Sequence, residues 1–276
     1  MSKLIYDQKL MSISDNEEKE HCNIEEIKNK VIVGNAFKVL KKIDSESVDM
    51  IFVDPPYFLQ LSNKKLNRWA VKTKVESVSD PWDKFSSFQE YDDFIIALFS
   101  ELQRIMKPTA TIWTIATYHS VFRIGKIMQD LGYWILNDVI WVKTNPMPNW
   151  LGVRFTNATE TLIWAVKDKH SKGYTFNKDY AKSFGIGKVG ANVWMLPICS
   201  GKERLKDDDN KKLHSTQKPV ELLRRIILTS TKEGDLILDP MAGTGTTGYV
   251  ANMLKRNFIM IESNPVYVKG MEKRFT

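Results

Sequence analysis

Val48-Asp49-Met50-Ile51-Phe52-Val53-Asp54-Pro55-Pro56-Tyr57 reads as a strand that ends in a stiff corner. Met50, Ile51, Phe52 and Val53 are an unbroken apolar run rich in β-formers, as expected of a strand covered on both faces. Asp54 falls where that strand leaves the sheet. Pro55 and Pro56 each fix their own φ, remove a backbone donor and restrict the residue before them. The corner thus carries unpaired carbonyls, a carboxylate and the Tyr57 ring. A strand buried on both faces belongs to a sheet with helices above and below, which is the α/β class.

A second stretch repeats the strand-then-corner pattern. Leu236-Ile237-Leu238-Asp239-Pro240-Met241-Ala242-Gly243-Thr244-Gly245-Thr246-Thr247-Gly248 is a strand, a glycine-rich turn and a helix start. Gly243, Gly245 and Gly248 satisfy G-x-G-x-x-G, and Glu262 follows 19 residues after Gly243, at the end of a strand at 258–261. A carboxylate there can hold two ribose hydroxyls. Alone, the pattern fits NAD, FAD, S-adenosylmethionine or a plain strand–helix turn. Three features favour S-adenosylmethionine. Barely one βα unit remains after the turn, too little for the second half of a dinucleotide fold. Asp239 stands where a carboxylate faces a cationic methionyl group. The Asp54 corner supplies a matching acceptor site.

That corner suits one chemistry. An exocyclic amine on a base is a poor nucleophile because its lone pair is delocalised into the ring. A carboxylate and a proline carbonyl can each accept one of its hydrogens, which steers the nitrogen toward tetrahedral geometry, and Tyr57 can stack on the base. The reaction requires no metal. The plainer reading of the corner is a buried strand ending in a Pro-Pro turn.

The chain has 276 residues, room for one large α/β domain, and its 43% hydrophobic and 26% charged composition is globular, not disordered. A formal net charge of +7 favours a polyanionic partner. Cys22 and Cys199 have no metal-type spacing and read as reduced thiols of a cytoplasmic protein. No apolar run reaches the roughly 20 residues of a membrane span, and no signal peptide is visible.

Outward from the corner, residues 1–29 read as a loose arm or surface helix. A short strand at 31–34 leads to Asn35, a helix N-cap close enough to a strand end to touch a cofactor. Residues 58–87 lack periodicity and hold Lys64, Lys65 and Arg68 with Trp69, a composition suited to DNA backbone contact and to a lid. A helix at 88–106, a strand at 110–116, a helix at 119–131 and strands at 133–143 and 160–166 follow. His119 has no partner at ligand spacing and reads as structural. The loop at 144–157 carries Asn145, Asn149, Arg154 and Asn157, whose side chains can read adenine and guanine edges. Residues 167–213 read as an irregular insertion that contacts DNA or a second copy of the chain.

These motifs together resemble the amino-methylating DNA methyltransferases of the β order, and within them the GANTC-specific adenine methyltransferases of the HinfI and cell-cycle-regulated type. The resemblance covers residues 31–262. It rests on Asp54-Pro55-Pro56-Tyr57, Asp80-Pro81-Trp82-Asp83, Ile135-Leu136-Asn137-Asp138, Asn145-Pro146-Met147-Pro148-Asn149, Arg154-Phe155-Thr156-Asn157-Ala158, His214-Ser215-Thr216-Gln217-Lys218-Pro219 and the Asp239 loop.

The resemblance implies a Rossmann-like fold with a seven-stranded, mostly parallel sheet, helices on both faces and permuted order. It implies an arm at 1–29 and a methyltransferase domain at 30–276. Its expected activity is transfer of a methyl group from S-adenosylmethionine to the exocyclic nitrogen of a flipped-out adenine in duplex DNA, in GANTC. Asp54, Pro55, Pro56 and Tyr57 would hold the adenine. The residues from Asp239 to Thr246 would wrap the methionyl part, Glu262 the ribose, and Thr216, Gln217 and Lys218 would complete the pocket. A homodimer and a cognate restriction endonuclease are the further partners it suggests.

The chain departs from the family pattern at Asn35, Met241, Ala242, Ser215 and Thr159, which bears on cofactor affinity. It ends soon after Glu262, where several relatives carry a further DNA-binding segment. The rival readings are methylation of cytosine's exocyclic nitrogen, a nicotinamide oxidoreductase using the glycine turn, and a DNA-binding protein with a decayed site.

Overall fold

The computed structural model describes residues 11–14, 21–59, 83–149, 152–184 and 190–275. The corner strand is β3 (Val48–Val53), counting strands in chain order, and all of it but Asp49 is buried. Ile51 and Val53 enter one apolar cluster, Met50 and Phe52 another. The run is unbroken because both faces of β3 are covered.

On one side β3 pairs in parallel with β8 (Leu236–Asp239), which pairs with β9 (Asn257–Glu262). Beyond them lie β2 (Lys30–Val33) and β1 (Met11–Ser14), also parallel. On the other side β3 pairs with β4 (Met106–Ala116), followed by β6 (Thr159–Val166), β5 (Trp134–Lys143) and β7 (Val193–Leu196). Only β6 runs antiparallel to its neighbours, and β7 pairs with β5 in parallel. The order is β1-β2-β9-β8-β3-β4-β6-β5-β7.

The described sheet therefore has nine strands rather than the seven expected. The two additions, β1 and β7, are four residues each and sit at its two ends. Within residues 1–29, expected as a loose arm or surface helix, Met11–Ser14 is an edge strand and α1 (Ile24–Ile27) a single turn. Residues 167–213, expected to be irregular, contain α5 (Lys178–Phe184) as well as β7.

The helices follow the apolar periodicity. In α3 (Phe88–Ile105), Tyr91, Ile95, Leu98, Phe99, Leu102 and Ile105 are buried along one stripe. The Ser87 side chain accepts from Glu90 N, and the Glu90 carboxylate accepts from Ser86 N, so the helix start is tied from both directions. This helix packs on the Ile51 side of the sheet with α2 (Ala36–Lys42) and α4 (Val121–Asp130). On the Met50 side lie α6 (Val220–Ser230), α7 (Thr246–Met253) and α8 (Pro265–Glu272). No helix among the described residues is long and apolar enough to cross a membrane.

This topology fixes where a ligand can sit. From β8 the chain passes through α7 to β9, while from β3 it passes through α3 to β4, in the opposite direction across the sheet. A crevice opens at the carboxyl ends of strands where the order reverses in this way. The adjacent ends of β2, β9, β8 and β3 bring Asn35, Glu262, Asp239 and Asp54 into one row.

Candidate active site

A cavity of about 470 Å³ lies over that row. Of the residues singled out in the sequence for the acceptor corner and the cofactor, Asn35, Asp54, Pro55, Pro56, Tyr57, Thr216, Gln217, Lys218, Asp239, Pro240, Met241, Ala242, Gly243, Thr244, Thr246 and Glu262 line it. Gly245 does not line it. Phe37, Leu59 and Phe94 add an apolar wall, and His214, Ser263, Asn264 and Tyr267 add polar groups that sequence reasoning missed. His214 and Tyr267 meet edge to face at 4.7 Å.

At the corner, both Asp54 oxygens are engaged. Oδ1 accepts from the Tyr57 hydroxyl at 2.8 Å, and Oδ2 accepts from Lys218 Nζ at 2.5 Å. Burial pushes the Asp54 carboxyl above its ordinary range. Burial pulls the Lys218 ammonium down, but the Asp54 and Glu160 carboxylates outweigh it, so Lys218 holds its proton more tightly than usual. Burial and the same carboxylates push the Tyr57 phenol well above its ordinary value, which keeps it a donor. The phenol also lies 3.1 Å from Glu160 Oε2, and Glu160 Oε1 pairs with Lys143 Nζ at 2.8 Å. Neither Glu160 nor Lys143 is singled out by the sequence.

The Tyr57 ring is less open than a stacking platform read from sequence. It is 6% exposed and packed in the apolar cluster on the Ile51 side, and the Lys218 ammonium sits 5.2 Å from its centroid, so only the part that lines the cavity can meet a base. The proline carbonyls also divide. Pro56 O accepts from the Tyr91 hydroxyl at 2.8 Å, which leaves the Pro55 carbonyl as the candidate acceptor. Asp83, buried, holds the exit from the corner: its carboxylate accepts from the backbone N–H groups of Tyr57, Phe58 and Leu59 at 2.6, 2.7 and 2.9 Å. Phe58 takes φ +49° there, a left-handed conformation that those hydrogen bonds enforce.

On the glycine side, Glu262 accepts from Gly243 N and Asn264 N, both at 2.8 Å, one on each oxygen. The Ser263 backbone N–H and hydroxyl bond the same carboxylate, so a ligand hydroxyl there would compete with groups of the turn for its lone pairs. Gly243 and Gly245 have φ +53° and +68°. A Cβ on Gly245 would lie 2.9 Å from Met271, so this glycine serves packing against α8 and not the cavity. Burial pushes the Asp239 carboxyl up to about 7. Asn35 caps α2, its Oδ1 accepting from Phe37 N and Lys38 N at 3.0 and 3.3 Å. Gln217 is held by residues 203–205, donating to Glu203 O and accepting from Leu205 N, both at 2.9 Å.

Of the residues expected to meet DNA, none of those described lines the cavity. Lys64, Lys65 and Arg68 fall outside the described residues. Asn145, Asn149, Arg154 and Asn157 do not line the cavity. Asn145 Oδ1 accepts from Ile198 N at 2.8 Å, and Asn149 Nδ2 donates to Arg154 O at 2.7 Å, so both amides brace their own segment. Arg154 and Asn157 are exposed; Arg154 Nη1 donates to the Tyr118 hydroxyl at 2.7 Å.

A carboxylate corner and a glycine-turn pocket sharing one cavity is the arrangement of a group-transfer site, and comparison with known proteins agrees. The profile of the DNA methylase family (N6_N4_Mtase) matches residues 48–273. The chain belongs to the N6/N4 DNA methylase family. It is 48% identical over 252 residues to the Type II methyltransferase M.HinfI of Haemophilus influenzae, covering 91% of this chain and 69% of that protein. It is 43% identical to the Type II methyltransferase M2.LlaDCHI of Lactococcus lactis subsp. cremoris, covering 90% of each. Among solved structures, this DNA methylase superposes on the M1.HpyAVI–SAM complex with a TM-score of 0.63 at 26% identity, covering 89% of this chain and 98% of that one. On the cytosine-N4-specific PvuII DNA methyltransferase the TM-score is 0.68 at 18% identity, with 90% and 86% covered, a likeness of fold alone. The family rules out the oxidoreductase reading, and a DNA methylase keeps both halves of the row that the topology builds.

Proposed function

We propose that this DNA methyltransferase moves a methyl group from S-adenosylmethionine to the exocyclic nitrogen of adenine in duplex DNA, within GANTC. The observation that carries this is that Asp54 and the Asp239–Glu262 pair, from adjacent strand ends, open on one cavity. Its volume falls in the range of small-molecule sites, roughly 300–1,000 Å³.

The residues present fit S-adenosylmethionine. Glu262, on the cavity wall, would accept the ribose hydroxyls, with the Ser263 hydroxyl giving way to them. Phe37 and Phe94, in edge contact at 5.1 Å, offer an apolar wall for the adenine ring. Asp239 faces the cationic methionyl part, with Thr216 and Gly243 beside it. When bound, the cofactor supplies an electrophilic methyl group.

The protein's part is to shape the acceptor. The target adenine leaves the stack at a cost of a few kcal/mol. Asp54 and the Pro55 carbonyl accept its two amino hydrogens, and the part of the Tyr57 ring that lines the cavity supports the base. Lys218 and Tyr57 hold Asp54 ionised and oriented while leaving each oxygen one lone pair. After transfer the nitrogen is acidic enough to give its proton to the carboxylate.

The chemistry belongs to residues 30–276, with 58–87 as the DNA-facing lid and 167–213 as a recognition insertion. Arg154 and Asn157 read bases, and Lys64, Lys65 and Arg68 meet phosphates. The protein works in the cytoplasm, as a dimer or by successive visits to a palindrome, beside an endonuclease of the same site. The test is methylation of duplexes altered at each GANTC position, with analysis of the nucleosides. N6-methyladenine in GANTC alone is the expected result; equal rates on scrambled DNA would remove the site, and N4-methylcytosine would move the target base.

A further inference from the structure

Glu160 is buried and Lys143 largely so, and both are charged and unused by the chemistry above. Their side chains are 11% and 12% exposed. Lys143 is the last residue of β5, and Glu160 is the second of β6. Between them runs 144–158, the segment with Asn145, Asn149, Arg154 and Asn157. The ion pair and the hydrogen bond from Lys143 N to Ala158 O, both 2.8 Å, close the stem of this segment.

The same carboxylate reaches the catalytic corner. Glu160 Oε1 holds Lys143, and Oε2 faces the Tyr57 hydroxyl at 3.1 Å. That hydroxyl bonds Asp54 Oδ1 at 2.8 Å. Three contacts thus join the stem to the carboxylate that receives the base. The phenol has one proton and two carboxylates within reach, so a small shift of Glu160 changes how firmly Tyr57 holds Asp54.

The segment is built to transmit such a shift. Asn149 Nδ2 bonds Arg154 O at 2.7 Å, Asn149 N bonds Thr156 Oγ1 at 3.3 Å, and Asn145 Oδ1 is fixed by Ile198 N at 2.8 Å. A braced segment moves at its root when its exposed side chains are engaged. We infer that the Lys143–Glu160 pair couples base reading by 144–158 to the arrangement of Asp54. Cognate contacts then raise the transfer rate itself and not only affinity. This rests on the reading that 144–158 contacts DNA.

The experiment is single-turnover methyl transfer at saturating DNA and S-adenosylmethionine. A cognate duplex, its site fixed by sequencing of methylated positions, is compared with one altered at a single outer base pair. The proteins are wild type, Arg154→Ala, Glu160→Gln, Lys143→Met and the Arg154→Ala/Glu160→Gln double variant. Glu160→Gln and Lys143→Met should each lower the cognate-to-altered rate ratio by at least about fivefold, the lower end of typical coupling between sites. The double variant should lose no more discrimination than Arg154→Ala alone, because both cut one path. Equal slowing on both duplexes, or additive losses in the double variant, would overturn the coupling and leave the loop reading standing. An unchanged ratio in Arg154→Ala would instead remove the loop reading, and the coupling with it. Glu160→Gln is isosteric and decides alone if Lys143→Met fails to fold.

Discussion

Replacing Asp54 with alanine does more than delete an acceptor. From sequence the change removes no core volume and leaves the fold intact. In the structure it strands the Lys218 ammonium, 7% exposed, without its carboxylate. Removing one partner of a buried pair costs about 3–5 kcal/mol, whereas removing both is far milder. Asp54→Ala should therefore abolish transfer and also lower stability in denaturant titrations, and adding Lys218→Met should restore stability without activity. Asp239 gives a pH prediction. Its carboxyl is raised from 3.8 to about 7, so between those values the folded state holds a proton that the unfolded state has lost. Stability in the free protein should fall as pH rises through that window, and Asp239→Asn should flatten the fall. A cationic ligand reverses the preference. Near pH 7, S-adenosylmethionine binding should release about half a proton, read by calorimetry in buffers of different ionisation enthalpy. No release would detach Asp239 from the methionyl group.

Among the elements, the glycine turn separates two demands that one motif hides. Gly243 needs its left-handed φ, but a Cβ there would meet nothing closer than His214 at 3.6 Å. A Cβ on Gly248 would lie 2.5 Å from the Met260 sulfur and 3.0 Å from Phe258, so it would wedge α7 off β9. Gly248→Val should cost about 1–3 kcal/mol through overpacking. Gly243→Ala should cost about 1 kcal/mol of backbone strain. Urea melting of both variants ranks them; a larger loss at Gly243 would refute this division. Apart from β1 and β7, the strands are legible from apolar runs bounded by turn residues, although β2 and β8 are also only four residues long. Of the two that were missed, β7 is four residues with Trp194 and Leu196 buried and Met195 60% exposed, a short apolar run hidden in a glycine- and lysine-rich stretch. The catalytic corner is legible for the same reason as β3. Its supports are not: Tyr57 meets Glu160 across 103 positions and Lys218 meets Asp54 across 164, and no local spacing announces either pair.

At the scale of the whole molecule, the sheet orders its ligands by strand position, and its margins decide how it behaves in bulk. On the donor side β1 closes the sheet over β2 along four residue pairs. Deleting residues 1–20 should uncover the β2 edge, and an open edge invites pairing with another chain. The truncated protein should self-associate in sedimentation runs while each folded molecule keeps its cofactor affinity. A monodisperse, fully stable product would show that β1 contributes little.

The sheet order also fixes when the protein can exist during its own synthesis. The chain lays down β2 and β3 before the other strands that flank the site, yet between them belong β9 and β8, which are made only after β4 to β7. Until residues 236–262 leave the ribosome, β1-β2 and β3-β4-β6-β5-β7 are separate ribbons, each with an uncovered edge. The βαβ unit β8–α7–β9 is the keystone that joins them. It also delivers Asp239 and Glu262, so the pocket and the continuous sheet appear in one event. A nascent chain therefore has no half-built site that could act on DNA before residues 236–262 are made.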